Sequence, residues 1–275
     1  MPAAEDRRIA ESLLAFWADA GVDAVLLDQP VDRIAAGKLV PPAAPPRKVA
    51  APAAAARSGP LAANQPDLSA AIAEAHALAA SVDSLEALKE AIAGFDGCPI
   101  KFEGAARQSV FYRGREDAPV VVVGEGPSAE EDAQGLPFVG KAGQLLDRMM
   151  AAAGLTDRVL ITNTVFWRPP GNRTPTPLEQ AVCAPFVERT LALVKPRLLL
   201  LVGGASAKAI LKKDEGILSL RGRWFEWKSA DGSLEIPALP TLHPADLLRQ
   251  PAAKKRACID LLTLTERLDR PARPS

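Results

Sequence analysis

The sequence predicts a three-layer α/β/α domain, in which helices cover both faces of a central, four-stranded and mostly parallel sheet. Four short segments are continuously apolar and lack period-two alternation, which is typical of strands that are buried on both faces. Segments with helical periodicity lie between them, and strands that alternate with helices form parallel sheets. The predicted strands are 119–124, 158–163, 197–204 and 235–242, and the helices that follow them are 140–153, 177–194, 205–213 and 252–268.

Two of the predicted helices carry capping signals at their starts. The helix 84–94 is opened by Asp83, with Glu86 three residues later. The helix after the second strand has Thr176 as its N-cap and Glu179 at the position that completes a capping box. Both starts are therefore expected to be sharply defined.

The composition limits the possible function classes. The chain has 33 Lys and Arg residues against 33 Asp and Glu residues, so its formal net charge is zero and nucleic-acid binding would need a local basic face. Three widely spaced cysteines favour a reducing compartment, and the charged N-terminus lacks the apolar core of a signal peptide. The longest apolar run is interrupted by Lys195, Pro196 and Arg197, which excludes a membrane-spanning helix. We therefore expect a cytoplasmic protein.

The N-terminal part of the chain differs in composition from the rest. Residues 7–20 have helical periodicity and are expected to form a helix within an appendage, 1–37, whose partner the sequence does not reveal. Residues 38–66 are rich in Ala and Pro and bury too little apolar surface to offset chain entropy, which predicts an extended linker. The globular domain is expected at 67–275, and it begins with a helix at 68–81.

The unusual residue clusters all follow predicted strands. The first strand runs into GEGPSAEEDAQGLPFVGKAG, and the other three are followed by NTVFWRPPGNRTP, GGASA and HPADLLRQP. Because the carboxyl ends of parallel strands lie at one edge of a sheet, these clusters are expected to meet there and to form the ligand site.

The first of these turns matches the dinucleotide-binding pattern G-x-G-x-x-A at Gly124, Gly126 and Ala129. The match is weak, because Pro127 follows the second glycine and three acidic residues, 130–132, stand where pyrophosphate needs free N–H groups. A close-approach turn that is followed by carboxylates suits a flat, neutral ligand better than a phosphate.

Four motifs in order, GEGPSAEEDAQGLPFVGKAGQLL, NTVFWRPPGNRTP, RGRWFE and LPTLHPADLLRQP, resemble the successive motifs of the family-4 uracil-DNA glycosylases. The resemblance implies hydrolysis of the N-glycosidic bond of uracil in DNA, which leaves an abasic site in base excision repair. That reaction needs a flipped-out base in a snug pocket, a stacking ring, hydrogen bonds to the base edge, an activated water and charge stabilisation at O2.

Five residues are the candidates for these roles. Phe138 is similar to the family's stacking ring, Gly126 matches a position that presents its N–H to uracil, and Glu131 resembles the carboxylate that holds the attacking water. The Asn163 amide, at the end of the second strand, can donate to O4 and accept from N3–H, which rejects cytosine. His243, directly after the fourth strand, can donate to O2 as negative charge develops.

Three of the candidates also have a purely architectural interpretation. Phe138 is of a residue type that is common in cores, and Asn163 is of a type that ends strands. Ser128 and Glu131 form a capping box at a helix start. The sequence leaves these alternatives open, and for Glu131 both interpretations can hold.

The family's iron–sulfur cluster is held by four cysteines, of which this chain keeps Cys98 and Cys183. Phe95 and Trp167 stand at the other two positions. Two thiolates cannot hold a cluster that takes four. We therefore expect no metal and no cofactor, with packing of the two aromatic rings in place of the cluster.

Basic and apolar residues around the motifs are the candidates for DNA contacts. Arginines along a groove can track phosphates, and an apolar side chain can enter the base stack that a flipped nucleotide leaves. We expect a monomer whose partner is uracil-containing DNA, contacted by Arg168, Arg173, Arg249, Leu247 and Leu248.

Two hypotheses follow from the sequence. The first is a uracil-DNA glycosylase with Glu131, Asn163 and His243 as catalytic residues. The second is a non-catalytic or regulatory member of the same fold that binds damaged DNA or a nucleotide, since two cluster ligands have been lost. The presence of the complete set of candidate site residues favours the enzyme.

Overall fold

The computed structural model describes residues 68–270, and the predicted N-terminal appendage and linker lie outside them. Within that range the helices are α1 (Leu68–Ala80), α2 (Leu85–Gly94), α3 (Ala129–Gln134), α4 (Lys141–Ala152), α5 (Pro177–Val194), α6 (Gly204–Leu211), α7 (Ile217–Leu220), α8 (Pro244–Arg249) and α9 (Lys254–Asp269). The strands are β1 (Tyr112–Gly114), β2 (Val120–Gly124), β3 (Val159–Asn163), β4 (Leu198–Val202), β5 (Phe225–Lys228) and β6 (Glu235–Thr241).

The six strands form one sheet in the order β1-β3-β2-β4-β6-β5. The four predicted strands are its parallel centre, β3-β2-β4-β6, as expected. The sheet has two strands more than predicted, because β1 and β5 pair antiparallel with β3 and β6 at its edges. Neither edge strand has a clear sequence signal, since β1 has three residues and β5 has four, with only one of them buried.

The central strands are buried on both faces, which produces the three layers. In β2, Val121 and Val123 belong to a core that α1, α2 and α5 cover, whereas Val120 and Val122 belong to a second core against α4 and α9. All four valines are fully buried, and burial of each contributes about 1.5–3 kcal/mol. Among residues 68–270, no helix combines the length and the apolar character that crossing a membrane requires.

Side-chain caps define where the helices begin. The Thr176 hydroxyl accepts from the N–H of Glu179, and the Glu179 carboxylate accepts from the N–H of Thr176, which confirms the capping box of α5. The predicted cap of α2, Asp83, is wrong by one residue. The helix starts at Leu85, so the hydroxyl of Ser84 is the group that accepts from the N–H of the first turn, at 3.2 Å.

The parallel strands end at one edge of the sheet, where their loops are tied together. The N–H of Thr164 donates to the carbonyl of Gly124 at 3.0 Å, which joins the ends of β3 and β2. The N–H of Gly203 donates to the carbonyl of Thr241 at 2.9 Å, which joins the ends of β4 and β6. The loops after all four strands are thereby held at one edge, and His243 lies directly beyond β6.

Candidate active site

Two adjoining cavities open at the carboxyl edge of the sheet. One, of about 370 Å³, lies between the turn after β2 and the start of α4, and the other, of about 500 Å³, extends over the loop after β3. Ligands of parallel α/β sheets bind at this edge, in cavities of this size. The two cavities share the lining residues Gly126, Ser128, Asn172, His243 and Ala245.

Asn163, the last residue of β3, has a buried amide without a hydrogen-bond partner. The residue is 1% exposed. Neither Oδ1 nor Nδ2 is hydrogen-bonded to any part of the chain that the structure describes. An unpaired buried polar group costs about 1–3 kcal/mol, so such an amide is expected where a ligand supplies the partners.

Gly124 allows the Asn163 amide and the Phe138 ring to lie together. A Cβ atom on Gly124 would be 2.4 Å from Asn163 Oδ1 and 2.5 Å from Phe138 Cε2. Real side chains do not approach so closely, so only glycine fits between them. The result is a hydrogen-bonding edge directly beside an aromatic ring.

The Glu131 carboxylate organises the turn that carries Phe138. Phe138 has a φ of 55°, a left-handed conformation that is unusual for a residue with a Cβ atom. Its N–H donates to Glu131 Oε1 at 2.6 Å, and the N–H of Ser128 donates to Oε2 at 2.6 Å. Burial raises the pKa of Glu131, and the two hydrogen bonds oppose that shift. One carboxylate thus completes the capping box of α3 and also lines the smaller cavity.

His243 is held as a neutral ring that lines both cavities. Its Nδ1 accepts from the N–H of Ala245 at 3.2 Å, which assigns the proton of the neutral imidazole to Nε2. Burial lowers the pKa of His243, against a smaller opposing effect of Asp246. The ring centroid lies 5.7 Å from that of Phe138. The imidazole can therefore donate from Nε2 beside the aromatic ring.

Three small or polar residues shape the walls around these groups. Gly203 has a φ of 95°, and a Cβ atom there would lie 3.2 Å from two carbon atoms of His243. A Cβ atom on Gly126 would lie 2.8 Å from Cγ2 of Val165, so packing against Val165 by itself favours glycine at this position. Asn172, with a φ of 54°, lines both cavities. The pair of glycines after β4 could have indicated from the sequence that Gly203 lies at the site. No sequence feature indicates Asn172.

Arg173 lines the larger cavity, but its charge is matched within the protein. The guanidinium donates to the two oxygens of Glu179 at 2.8 and 2.6 Å and to Glu103 at 3.0 Å. A phosphate would have to compete with both carboxylates, so this arginine contributes chiefly to the shape of the cavity wall.

The other two predicted DNA-contacting arginines have fewer acidic partners. Arg168 donates from Nε to Asn172 Oδ1 at 2.7 Å, beside the cavities. Arg249 lines the larger cavity and pairs with Asp246, one helical turn away. Its side chain is 73% exposed, so it can exchange this partner for a phosphate.

Of the two predicted wedge residues, only one is exposed. Leu247 is fully buried in a small core with Leu145 and Leu242, so the prediction of a DNA contact for Leu247 is wrong. Leu248, its neighbour on α8, is 41% exposed. Adjacent helical positions face about 100° apart, which puts one leucine inside and the other outside.

Comparisons with known proteins agree with this geometry. The family model of the Uracil DNA glycosylase superfamily matches residues 111–263, which is more than half of the chain. The chain belongs to this superfamily. The type-4 uracil-DNA glycosylase of Sulfurisphaera tokodaii is 37% identical over 180 residues, which are 63% of this chain and 80% of that protein. Proteins of the same name are 36% identical over 176 residues in Pyrobaculum aerophilum (62% and 87%) and 34% identical over 177 residues in Thermotoga maritima (64% and 88%).

In this member of the superfamily, the two remaining cluster-position cysteines form a buried pair. Cys98 and Cys183 are fully buried with their Sγ atoms 3.9 Å apart, and burial raises the pKa of the Cys183 thiol. Phe95 and Trp167 lie in the same core with ring centroids 6.5 Å apart. Within residues 68–270, no group of three or more His, Cys, Asp or Glu residues is arranged to hold a metal ion. A donor set of two cysteines and two aromatic rings does not fit a cluster that takes four thiolates.

Proposed function

We propose that the protein is a uracil-DNA glycosylase, which hydrolyses the N-glycosidic bond of deoxyuridine in DNA and leaves an abasic site for base excision repair. The observation that carries the proposal is the buried, unpaired amide of Asn163 beside the Phe138 ring, whose centroid in turn lies 5.7 Å from that of His243. A flipped-out pyrimidine needs an edge to pair with, a ring to stack on and a donor for developing charge. The similarity to type-4 uracil-DNA glycosylases supports the same activity.

Base recognition falls to Asn163 and Phe138. The Asn163 amide donates from Nδ2 to uracil O4 and accepts at Oδ1 from N3–H. Cytosine presents an amino group at C4 and no proton at N3, so both hydrogen bonds would be lost in a site where unpaired groups are costly. Stacking on Phe138 contributes about 1–3 kcal/mol without regard to base identity. The amide therefore supplies the selectivity, and the ring supplies affinity.

Bond breaking falls to His243 and Glu131. As the C1′–N1 bond breaks, its electron pair passes to uracil, and the Nε2–H of His243 donates to O2, where negative charge grows. The sugar gains oxocarbenium character, and a water molecule adds at C1′. Each Glu131 oxygen has a lone pair beyond its backbone hydrogen bond, so the carboxylate can hold this water and accept its proton. Its negative charge also favours the cationic sugar.

The larger cavity receives the DNA backbone around the flipped nucleotide. Arg249 lines this space, Arg168 donates to Asn172 at its wall, and both can contact phosphates. Leu248 is exposed on α8, the helix that His243 caps, and it can occupy the gap in the base stack. Affinity for DNA is therefore expected to fall with salt, and Leu248→Ala is expected to weaken base flipping rather than phosphate contact.

We further propose that the protein contains no iron–sulfur cluster and that packing of Phe95 and Trp167 replaces it. Support comes from the donor set, since two thiols cannot take the place of four. Anaerobically purified protein is expected to be colourless and to contain neither iron nor acid-labile sulfide. Stoichiometric iron and sulfide in such a preparation would contradict the proposal.

We also propose that the protein acts as a monomer in the cytoplasm. One chain supplies every residue of the proposed site, and the cysteines of the described range form no disulfide. A molecular mass of 29.0 kDa by light scattering is the expected result. A stable dimer in dilute solution would contradict the monomer.

The experiment that tests the function is single-turnover excision on an oligonucleotide with one deoxyuridine, followed by alkali to cleave abasic sites. The wild type is expected to release uracil. His243→Ala is expected to lose about 2.7–4 kcal/mol of transition-state stabilisation, a rate loss on the order of a hundredfold or more, because it removes a donor to developing charge.

The matched control is His76→Ala, which changes the other histidine of the chain, exposed on α1. It should leave the rate unchanged. A wild type that binds the oligonucleotide but never yields an abasic site would favour the non-catalytic alternative. A normal rate in a destabilised His243→Ala protein would end the catalytic assignment of this residue.

A further inference from the structure

Arg113, on the edge strand β1, contacts the Phe138 turn from outside the two cavities. Its Nε donates to the carbonyl of Pro137 at 2.7 Å, and its Nη2 donates to the carbonyl of Phe138 at 3.1 Å. The same Nη2 reaches the Asp147 carboxylate on α4 at 2.6 Å. One guanidinium thus joins an edge strand, the turn and a helix.

The turn needs such support because its backbone conformation is unfavourable for phenylalanine. The φ of 55° lies in the left-handed region, which residues with a Cβ atom rarely occupy unless the surroundings impose it. Glu131 holds the N–H of Phe138 on one side. On the other side the carbonyl oxygen presses against Gly143, where a Cβ atom would lie 1.7 Å away.

Arg113 itself is positioned by the sheet. It pairs with Ile161 in the antiparallel β1–β3 ladder, and β3 ends two residues later at Asn163. The strand that carries the base-reading amide therefore also sets the location of the guanidinium that holds the stacking ring. The ring and the amide are fixed relative to each other through one ladder.

The geometry points to Arg113 as a positioning residue for uracil excision, which holds the Phe138 ring parallel to the base that Asn163 reads. This inference rests on the proposed function. Arg113 touches neither the base nor the reacting atoms, and it acts through the backbone of Phe138. A planar guanidinium with several N–H groups suits this task, whereas the single ammonium of lysine cannot serve two carbonyls and a carboxylate in this arrangement.

The test is a double-mutant cycle on single-turnover excision, with Arg113→Gln, Phe138→Ala and the double variant. Arg113→Gln alone is expected to slow excision on the order of ten- to a hundredfold, because misplacement of a positioning group by about 1 Å has effects of that size. In the Phe138→Ala background, where no ring remains to be positioned, the same substitution is expected to change the rate less than twofold.

The matched control is Arg115→Gln, two residues away. Arg115 pairs with the exposed Asp117 at 2.6 Å, and no contact joins its side chain to the Phe138 turn within residues 68–270. Its loss should not change the rate. If Arg113→Gln fails to fold, Arg113→Lys keeps the charge and the aliphatic stem, and it should show the same dependence on the Phe138 ring.

The outcomes separate the inference from the proposed function. An active wild type in which Arg113→Gln matches Arg115→Gln overturns the inference alone. A rate loss that is equally large with and without the Phe138 ring also overturns it, because Arg113 would then act by a route that does not involve the ring, such as its charge near Glu131. A folded wild type that never excises uracil overturns the proposed function and this inference with it.

Discussion

A single carboxylate, Glu131, joins the architecture of the site to its chemistry. Its two oxygens accept from the N–H groups of Ser128 and Phe138, so ionisation of Glu131 fixes both the start of α3 and the turn of the stacking ring. A glutamine in its place would turn an NH₂ group toward one of these N–H donors. The two backbone hydrogen bonds therefore require a carboxylate here, independently of any role that Glu131 has in holding a water molecule.

The protonation states of the site predict how excision depends on pH. Burial lowers the pKa of His243 below its ordinary 6.5 and raises that of Glu131 above its ordinary 4.5. On acidification, the imidazole loses its acceptor for the N–H of Ala245, and the carboxyl loses one of its two acceptors. The single-turnover rate is thus expected to fall on acidification, as Glu131 gains a proton at a pH above its ordinary pKa and His243 gains one at a pH below its ordinary pKa. A rate that rises on acidification, in protein whose fold is intact by circular dichroism, would contradict these assignments.

The proposed base-reading role of Asn163 predicts a change of selectivity on substitution. Asn163→Asp is expected to lower the rate on uracil and to raise the relative rate on cytosine, because a carboxyl oxygen accepts from the cytosine amino group. The measurement compares two oligonucleotides that differ only in the target base. Asn163→Ala, which removes the amide altogether, serves as the reference and should lose activity on uracil without gaining any on cytosine. An unchanged ratio in Asn163→Asp would exclude direct reading of the base by this residue.

At the scale of the element, the parallel strands could be predicted because burial on both faces leaves continuous apolar runs. Because the carboxyl ends of parallel strands lie at one edge of a sheet, Asn163 and His243 could also be predicted to lie at that edge. The edge strand β1 could not be predicted, and neither could the role of Arg113, since its partner Asp147 lies 34 residues away on another element. The leucine pair of α8 has one buried and one exposed member, and a helix of six residues carries too little periodicity to tell which is which.

The end of α5 predicts a stabilising substitution. Lys195 is the C-cap of this helix and has a φ of 50°, and its N–H donates to Leu191. Glycine adopts this conformation without steric cost, so Lys195→Gly is expected to raise the free energy of unfolding by about 0.5–1 kcal/mol. The matched control, Lys89→Gly inside α2, should lower it by about 1 kcal/mol. Urea titrations of both variants against the wild type measure the difference, and a destabilised Lys195→Gly would show that the lysine side chain has a role of its own.

At the scale of the whole molecule, the described domain is expected to act without the N-terminal part of the chain. The residues of the proposed site lie between Arg113 and Arg249, and removal of residues 1–66 should leave the single-turnover rate nearly unchanged. Removal of residues 1–80 should instead destabilise the protein, because Ala71, Ala75 and Ala79 of α1 belong to the core that α5 also forms. A large rate loss in the folded shorter truncation would give the N-terminal part a role in excision.

The unpaired amide of Asn163, at the end of β3, also limits how stable the folded protein can become. An apolar side chain of similar size at position 163 would remove an unpaired polar group from the interior, and such replacements are neutral or stabilising. It would also remove the group that we propose distinguishes uracil from cytosine. Thermal tolerance and fidelity are thus opposed at one position. A library of variants that is ranked only by heat resistance is expected to lose its asparagine here, and with it the ability to tell damaged DNA from intact DNA.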